Sequence, residues 1–425
     1  MTEKYRSMWA GLGLDLDAHD MLMDVLGSLY AETYLKQPHR AEGMEYFDFV
    51  MSEVHGLRIE ELLKEKEQGR KVVGSFCVFV PEEIVLAAGG TLVGLCSGAD
   101  FAMEEVEKVL PRNTCALIKS AFGFKLGKVC PYLEVSDMIV GENTCDGKKK
   151  AYETLGTLTD NLYVMDLPQV KSEEGYDLLL AEYHRFAAQM EALTGVEITV
   201  DRLREAIGMV NAKRRALHRL AVLRETVPAP ISGLDALLIN QVAFYDNPER
   251  FTKSVNDICD RMEQAIAEEH RSGGGEGPRV IISGCPMAVP NWKLPAIVET
   301  SGGVIVGEES CVGERGQRNL VDAAGATLDE LMDAIVDRYI QVDCAIFTPN
   351  PDRLAHIEEL YHRTGARGVI HYGLQFCQPY IMESIPVEKA LEDRGIPTLR
   401  IETDYSAEDV GQLTTRIQAF LEILK

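Results

Sequence analysis

At 425 residues the chain exceeds the ~250–300 residues at which a single hydrophobic core stops growing, so two or three domains are expected. Hydrophobic residues make up 46% and charged residues 26%, the balance of a globular enzyme and not of a disordered or membrane chain. The formal charge of −24 works against binding a phosphate backbone, which excludes nucleic acid as an expected partner.

The first twenty residues lack a continuous apolar stretch, and no run of about 18 apolar residues follows anywhere. A cytoplasmic protein with no membrane partner is expected. Residues 1–70 read as a helical N-terminal segment: MLMDVLGSLYAETYL and MEYFDFVMSEVHGLRIEELLKEKEQ repeat apolar residues every three or four positions. From Lys71 the period changes. KVVGSFCVFV reads as a buried β-run, PEEIVLAAGG as a helix opened by Pro81 and TLVGLC as a second strand. A helix near Asn113, the strand SDMIVG, a helix across GKKKAYETL and the strand NLYVMDL complete a first α/β lobe over 71–170. Residues 171–275 return to helical spacing and form a connector. RSGGGEGP, 271–278, lacks the Lys–Ser/Thr pair and the helix start of a phosphate loop, so it reads as a flexible junction. Beyond it RVIISGC, GGVIVGEESC, CAIFTPN, RGVIHYGLQFC and PTLRIETD read as five strands of a second α/β lobe over 276–425. Its opening SGCPMAVPNWKL echoes GSFCVFVPEEI, as a weak internal duplication would. The fold class is therefore α/β, with two open, mainly parallel, flavodoxin- or Rossmann-like sheets. Ligands in such sheets gather beyond the carboxyl ends of the strands.

Ten cysteines in a reducing compartment are thiols, nucleophiles or metal ligands before they are disulfides. Cys77, Cys96, Cys145, Cys285, Cys311 and Cys377 follow strands. Cys115 stands in Asn113-Thr114-Cys115, where Asn or Thr can cap a helix and its dipole favours thiolate. Cys130 and Cys344 precede strands, on the opposite edge, and Cys259 lies inside a helix, so these three read as structural. No C-x₂₋₄-C pair indicates zinc, and no C-x-x-C indicates a dithiol redox enzyme. Dispersed thiolates are compatible with an iron–sulfur cluster, but such spacing has little diagnostic power alone.

The motifs LPRNTCALIKSAFGF, VCPYLEVSDMIVGENTCDGKKKAYE and HYGLQFCQPY resemble the 2-hydroxyacyl-CoA dehydratase and benzoyl-CoA reductase superfamily over most of the chain. FCVFVPEE, GLCSG, NTCDGKKK and SGCP are most similar to its homodimeric double-cubane branch. The resemblance implies that Cys115, Cys145 and Cys377 hold a cluster between the lobes. In that branch two [4Fe–4S] cubanes share a bridging sulfide ([8Fe–9S]), which needs three further thiolates. Cys77, Cys96, Cys285 and Cys311 are the candidates, one more than needed; the duplication places Cys96 and Cys311 in equivalent positions and favours them. The resemblance also implies a separate ATP-hydrolysing [4Fe–4S] activator that feeds electrons at low potential to a reductase of small molecules. The chain itself carries no G-x-x-x-x-G-K-[ST] and no G-x-G-x-x-G after a strand.

Around the cysteines, Glu82 and Glu83 suit a helix start on dipole grounds alone, yet stand close enough to Cys77 for one to handle protons. Asp146 and Lys148 to Lys150 are either a charged helix start or contacts that stabilise an anionic cluster. Gln378 and Tyr380 are placed for substrate contact, whereas His371 reads as a core histidine. Gly74, Gly284 and Gly373, near strand ends, permit close backbone approach to a cluster or between elements. Two rival readings are a single-cluster subunit of a 2-hydroxyacyl-CoA dehydratase and a non-enzymatic electron carrier.

Overall fold

A computed structural model describes residues 2–38, 40–268 and 274–425, so the start of the junction expected at 271–278 lies outside the described residues. Helices α1 (Thr2–Gly11), α2 (Leu16–Tyr30), α3 (Glu45–Ser52) and α4 (Leu57–Glu67) open the chain. Asp15 starts α2 by accepting the Ala18 N–H at 3.0 Å. The second helix read from sequence is broken in two, with Gly56 at the start of α4 and the Tyr5 ring packed where a β-carbon would sit. Arg40 bridges Asp48 and buried Asp235, fastening this segment to the connector.

The first sheet comprises β1 (Lys71–Ser75), β2 (Gly90–Gly94), β3 (Met138–Asn143) and β4 (Leu162–Asp166), with α5 (Glu82–Ala87), α6 (Met103–Val109), α7 (Ala116–Leu126), α8 (Pro131–Val135) and α9 (Asp146–Leu155) between them. The connector holds α10 (Glu173–Thr194), α11 (Val200–Leu223), α12 (Gly233–Val242) and α13 (Pro248–Ala267). Ser172, Thr199, Ser232 and Asn247 each accept a backbone N–H of the first turn that follows, which is why the four helices begin where they do. The second sheet comprises β5 (Arg279–Gly284), β6 (Val304–Glu309), β7 (Gly368–Leu374) and β8 (Thr398–Thr403). Its helices are α14 (Lys293–Thr300), α15 (Glu314–Gln317), α16 (Leu328–Ile340), α17 (Pro351–Arg363), α18 (Gln378–Asp393) and α19 (Val410–Ile423).

Every strand pair is parallel, and the two sheets share one order, β2-β1-β3-β4 and β6-β5-β7-β8. The two open parallel lobes read from the sequence are thus present, and their common strand order fits the echo between SGCP and GSFC. Two readings need correction. KVVGSFCVFV pairs only through Ser75, after which the chain turns away. CAIFTPN is not a strand at all, so the second sheet has four strands rather than five. The segment 321–347 instead crosses to the first lobe. Leu331, Ile335, Ile346 and Phe347 share a core with Val73, Phe79 and Tyr183, and the Phe79 and Phe347 rings stand 6.2 Å apart. An apolar run buried against another lobe carries the same pattern as a buried strand, which is why periodicity could not separate them.

Candidate metal centre

Ser75, Gly94 and Leu374 end β1, β2 and β7, and all three face one cavity of about 910 Å³ between the lobes. Eight of the ten cysteines line it: Cys77, Cys96, Cys115 and Cys145 from the first lobe, and Cys285, Cys311, Cys344 and Cys377 from the second. All are free thiols. The seven cysteines singled out in the sequence are therefore brought together, at the strand edge where an open parallel sheet binds ligands. The eighth corrects the reading of Cys344. With no strand after it, Cys344 is on the cavity edge rather than the opposite one. Cys130 and Cys259 are buried elsewhere, where burial pushes their thiols up to about 11 and about 12.

Cys115, Cys145 and Cys377 each occupy the residue just before a helix, α7, α9 and α18. Cys115 itself, not Asn113 or Thr114, takes the capping position. Its sulfur faces the backbone N–H groups of Leu117 and Ile118, and that of Cys377 faces the Tyr380 N–H. The unpaired amides and the helix dipole give these sites a positive field that suits anionic sulfur. Cys77 and Cys285 leave β1 and β5 in loops pinned through their own amides, which donate to Glu142 Oε1 at 3.0 Å and to the Tyr372 carbonyl at 2.9 Å. Gly284 reaches φ +141°, and a β-carbon there would stand 1.9 Å from the Tyr372 carbonyl oxygen, so only glycine allows the turn into Cys285. Gly373 shows ordinary van der Waals space and needs no such explanation.

The thiols fall into two neighbouring sets. Cys377 and burial hold the Cys115 thiol well above its usual range; Cys115 draws the Cys377 thiol down, but neighbouring Cys285 and burial outweigh it and hold Cys377 well above its usual range. Cys77 contacts Cys311. That contact and burial raise Cys77, while Cys77 and the Arg315 guanidinium draw Cys311 down to about 6. Arg315 is fully buried, 3.7 Å from Cys311 Sγ, and donates to the Gly284 carbonyl at 3.2 Å, to Glu309 Oε1 at 2.6 Å and to the Tyr380 hydroxyl. The sequence reading missed Arg315, although its place four residues after Cys311, at the start of a short helix, was a usable signal. It also missed Glu142, whose burial raises its pKa to about 7 beside the Lys148 ammonium, 4.0 Å away.

Of the remaining candidates, Lys148, Gln378 and Tyr380 line the cavity. Burial opposes the charge of Lys148, but the field of Tyr152, Cys77, Glu142 and Cys96 outweighs it. Glu82 does not line this cavity. It pairs with Lys213 at the wall of an adjoining pocket of about 80 Å³ that Cys77 and Cys311 also line, and Glu83 is buried against Arg214 at 2.6 Å. His371 is a core residue of β7, its pKa pushed to about 3 by burial.

Residues 77–424 match the family described as 2-hydroxyglutaryl-CoA dehydratase, D-component. The chain belongs to that family. A candidate dehydratase subunit of Escherichia coli (strain K12), YjiM, is 39% identical over 84% of this chain and 93% of its own length. The (R)-phenyllactyl-CoA dehydratase beta subunit of Clostridium sporogenes is 27% identical over 85% of this chain and 94% of its own. A benzoyl-CoA reductase subunit of Thauera aromatica is 24% identical over 82% and 89%. Relatives named for both dehydratases and a benzoyl-CoA reductase bear out the superfamily inferred from the cysteine motifs. Among the described residues of this dehydratase-family chain, no helix is long and apolar enough to cross a membrane.

Among the same residues, no three His, Cys, Asp or Glu side chains are spaced to hold a single metal ion. A cubane takes a thiolate on each of several irons, so its ligands surround a body instead of converging on a point. Soft sulfur donors from two lobes, helix N-termini aimed at three of them and buried cations beside others fit a cluster of that kind.

Proposed function

We propose that this chain is an iron–sulfur reductase of small molecules, holding two sulfide-bridged [4Fe–4S] cubanes and receiving electrons from a separate ATP-hydrolysing activator. The observation that carries this reading is the meeting of eight cysteines around one cavity, more than a single cubane can use. Cys115, Cys145 and Cys377 would hold one cubane, and the second would draw on the cysteines around Cys77 and Cys311. When bound, the cluster supplies one-electron reduction at low potential.

The protein's own groups set the conditions. Arg315, through Cys311, and Lys148, in the field of Cys77 and Cys96, offset negative charge on sulfur. Apolar walls, Leu117, Ile118, Ile346 and Phe347 among them, keep water from the thiols. Gln378 and the Tyr380 hydroxyl present polar atoms for orienting a small substrate. A cytoplasmic homodimer is the expected form, and a cavity of this size speaks for turnover over mere electron storage.

A second reading, a subunit of a 2-hydroxyacyl-CoA dehydratase with one [4Fe–4S] cluster, is favoured by the description of the family and by the names of relatives. Anaerobic counts of iron and acid-labile sulfide per chain separate the two. Roughly eight irons are expected, and a count of roughly four would replace the double cubane with the dehydratase reading.

A further inference from the structure

We infer that Cys344 is a cluster ligand, joining Cys77 and Cys311 in the second thiolate set in place of Cys96; this rests on the double-cubane reading above. The first argument is topological. The two sheets have the same order, and the cysteines follow it: Cys77 and Cys285 leave β1 and β5, Cys96 and Cys311 leave β2 and β6, and Cys145 and Cys377 leave β3 and β7. Cys115 lies in the connection from β2 to β3, and Cys344 in the matching connection from β6 to β7. Each lobe thus brings four thiols by equivalent routes. The sulfur of Cys344, like that of Cys115, faces a backbone N–H, here that of Ile346.

The second argument is the company each sulfur keeps. Cys344 Sγ is 3.8 Å from the Tyr380 hydroxyl, and Arg315 donates to that hydroxyl while reaching Cys311 Sγ at 3.7 Å. One buried pair, Arg315 and Tyr380, therefore serves both sulfurs with donors, as the groups around ligating sulfur do. Cys77 closes the set, since it shares with Cys311 the walls of both the main cavity and the small pocket adjoining it.

Cys96 is placed differently. Its thiol donates to the Phe76 carbonyl at 2.8 Å. A ligand gives up that proton, and a thiolate so near a carbonyl oxygen is repelled by it, so Cys96 keeps its hydrogen and serves as a prop for the loop after β1. Cys285 lies with the other set, its sulfur accepting the N–H of Leu374, three residues before Cys377, at 3.4 Å.

The test is anaerobic loading of wild type, Cys344→Ala, Cys344→Ser and Cys96→Ala, with iron, sulfide and the electron paramagnetic resonance of the reduced state measured on each. Wild type carries roughly eight irons, Cys96→Ala keeps them with the same spectrum, and Cys344→Ala falls to about half. Full iron and an unchanged spectrum in both Cys344 variants overturn the inference. Loss in Cys96→Ala with retention in Cys344→Ala also overturns it. An iron-edge anomalous map of loaded wild-type crystals decides the matter should a variant fail to fold: iron bonded to Cys344 and none to Cys96 supports the assignment, and the reverse refutes it. A wild-type chain with roughly four irons refutes the underlying reading instead.

Discussion

Gly284 shows how much of the site is set by single residues. Its φ of +141° and the Tyr372 carbonyl 1.9 Å from any added β-carbon mean that Gly284→Ala must force β5 and β7 apart or abandon the turn into Cys285. A loss of about 3 kcal/mol is expected in urea unfolding of the metal-free chain, and an unchanged midpoint would show that the turn yields freely. At this scale the sequence was readable where chemistry is local. A cysteine just past a strand in an α/β lobe has one place to go, so six lining residues could be named that way, and Cys115 followed from its place at a helix start. Glu142 was not legible and Arg315 only in part, through its spacing from Cys311, since their roles depend on who meets them: Arg315 acts through Cys311, Glu309 and Tyr380. Glu82 looked equivalent to its neighbour Glu83 at a helix start, and only the packing of α11 turned it towards Lys213, in a small pocket that Cys77 and Cys311 also line.

Helix starts recur as the device by which elements aim sulfur, with α7, α9 and α18 each beginning directly after a lining cysteine. Strand periodicity placed the start of each observed strand within about two residues, but not the departure of the chain at Ser75 or the true path of CAIFTPN. That path depends on α16, which packs on α10 of the connector, and no local pattern encodes a crossing between lobes. The helix α5 is anchored at the same seam: Glu83 in its first turn meets Arg214 of α11 at 2.6 Å and accepts from the Tyr339 hydroxyl of α16 at 2.9 Å. The nearby arginines overcome burial and keep this carboxylate charged, its pKa below the usual value. Glu83→Ala leaves buried cations without their partner. Its expected cost is on the order of 3–5 kcal/mol, read from the denaturant midpoint, and a change under about 1 kcal/mol would mean that the seam does not depend on this ion pair.

The whole molecule carries a formal charge of −24, a field that a basic face on an electron donor would feel over a Debye length. On the proposed function, turnover coupled to a separate activator at low protein concentration should fall on the order of tenfold as salt rises from low to high ionic strength. A flat response would leave charge without a part in docking. The position of the cavity between two lobes has a further consequence, in the timing of biosynthesis. Cys145 leaves the ribosome roughly two hundred residues before Cys377. At ~5–20 residues per second that is an interval on the order of ten seconds or more. Throughout it the four thiols of the first lobe lack the second lobe that covers them, and for most of it that lobe also lacks Leu331, Ile335 and Phe347 of its core. On the proposed function, metal loading therefore belongs to the completed chain.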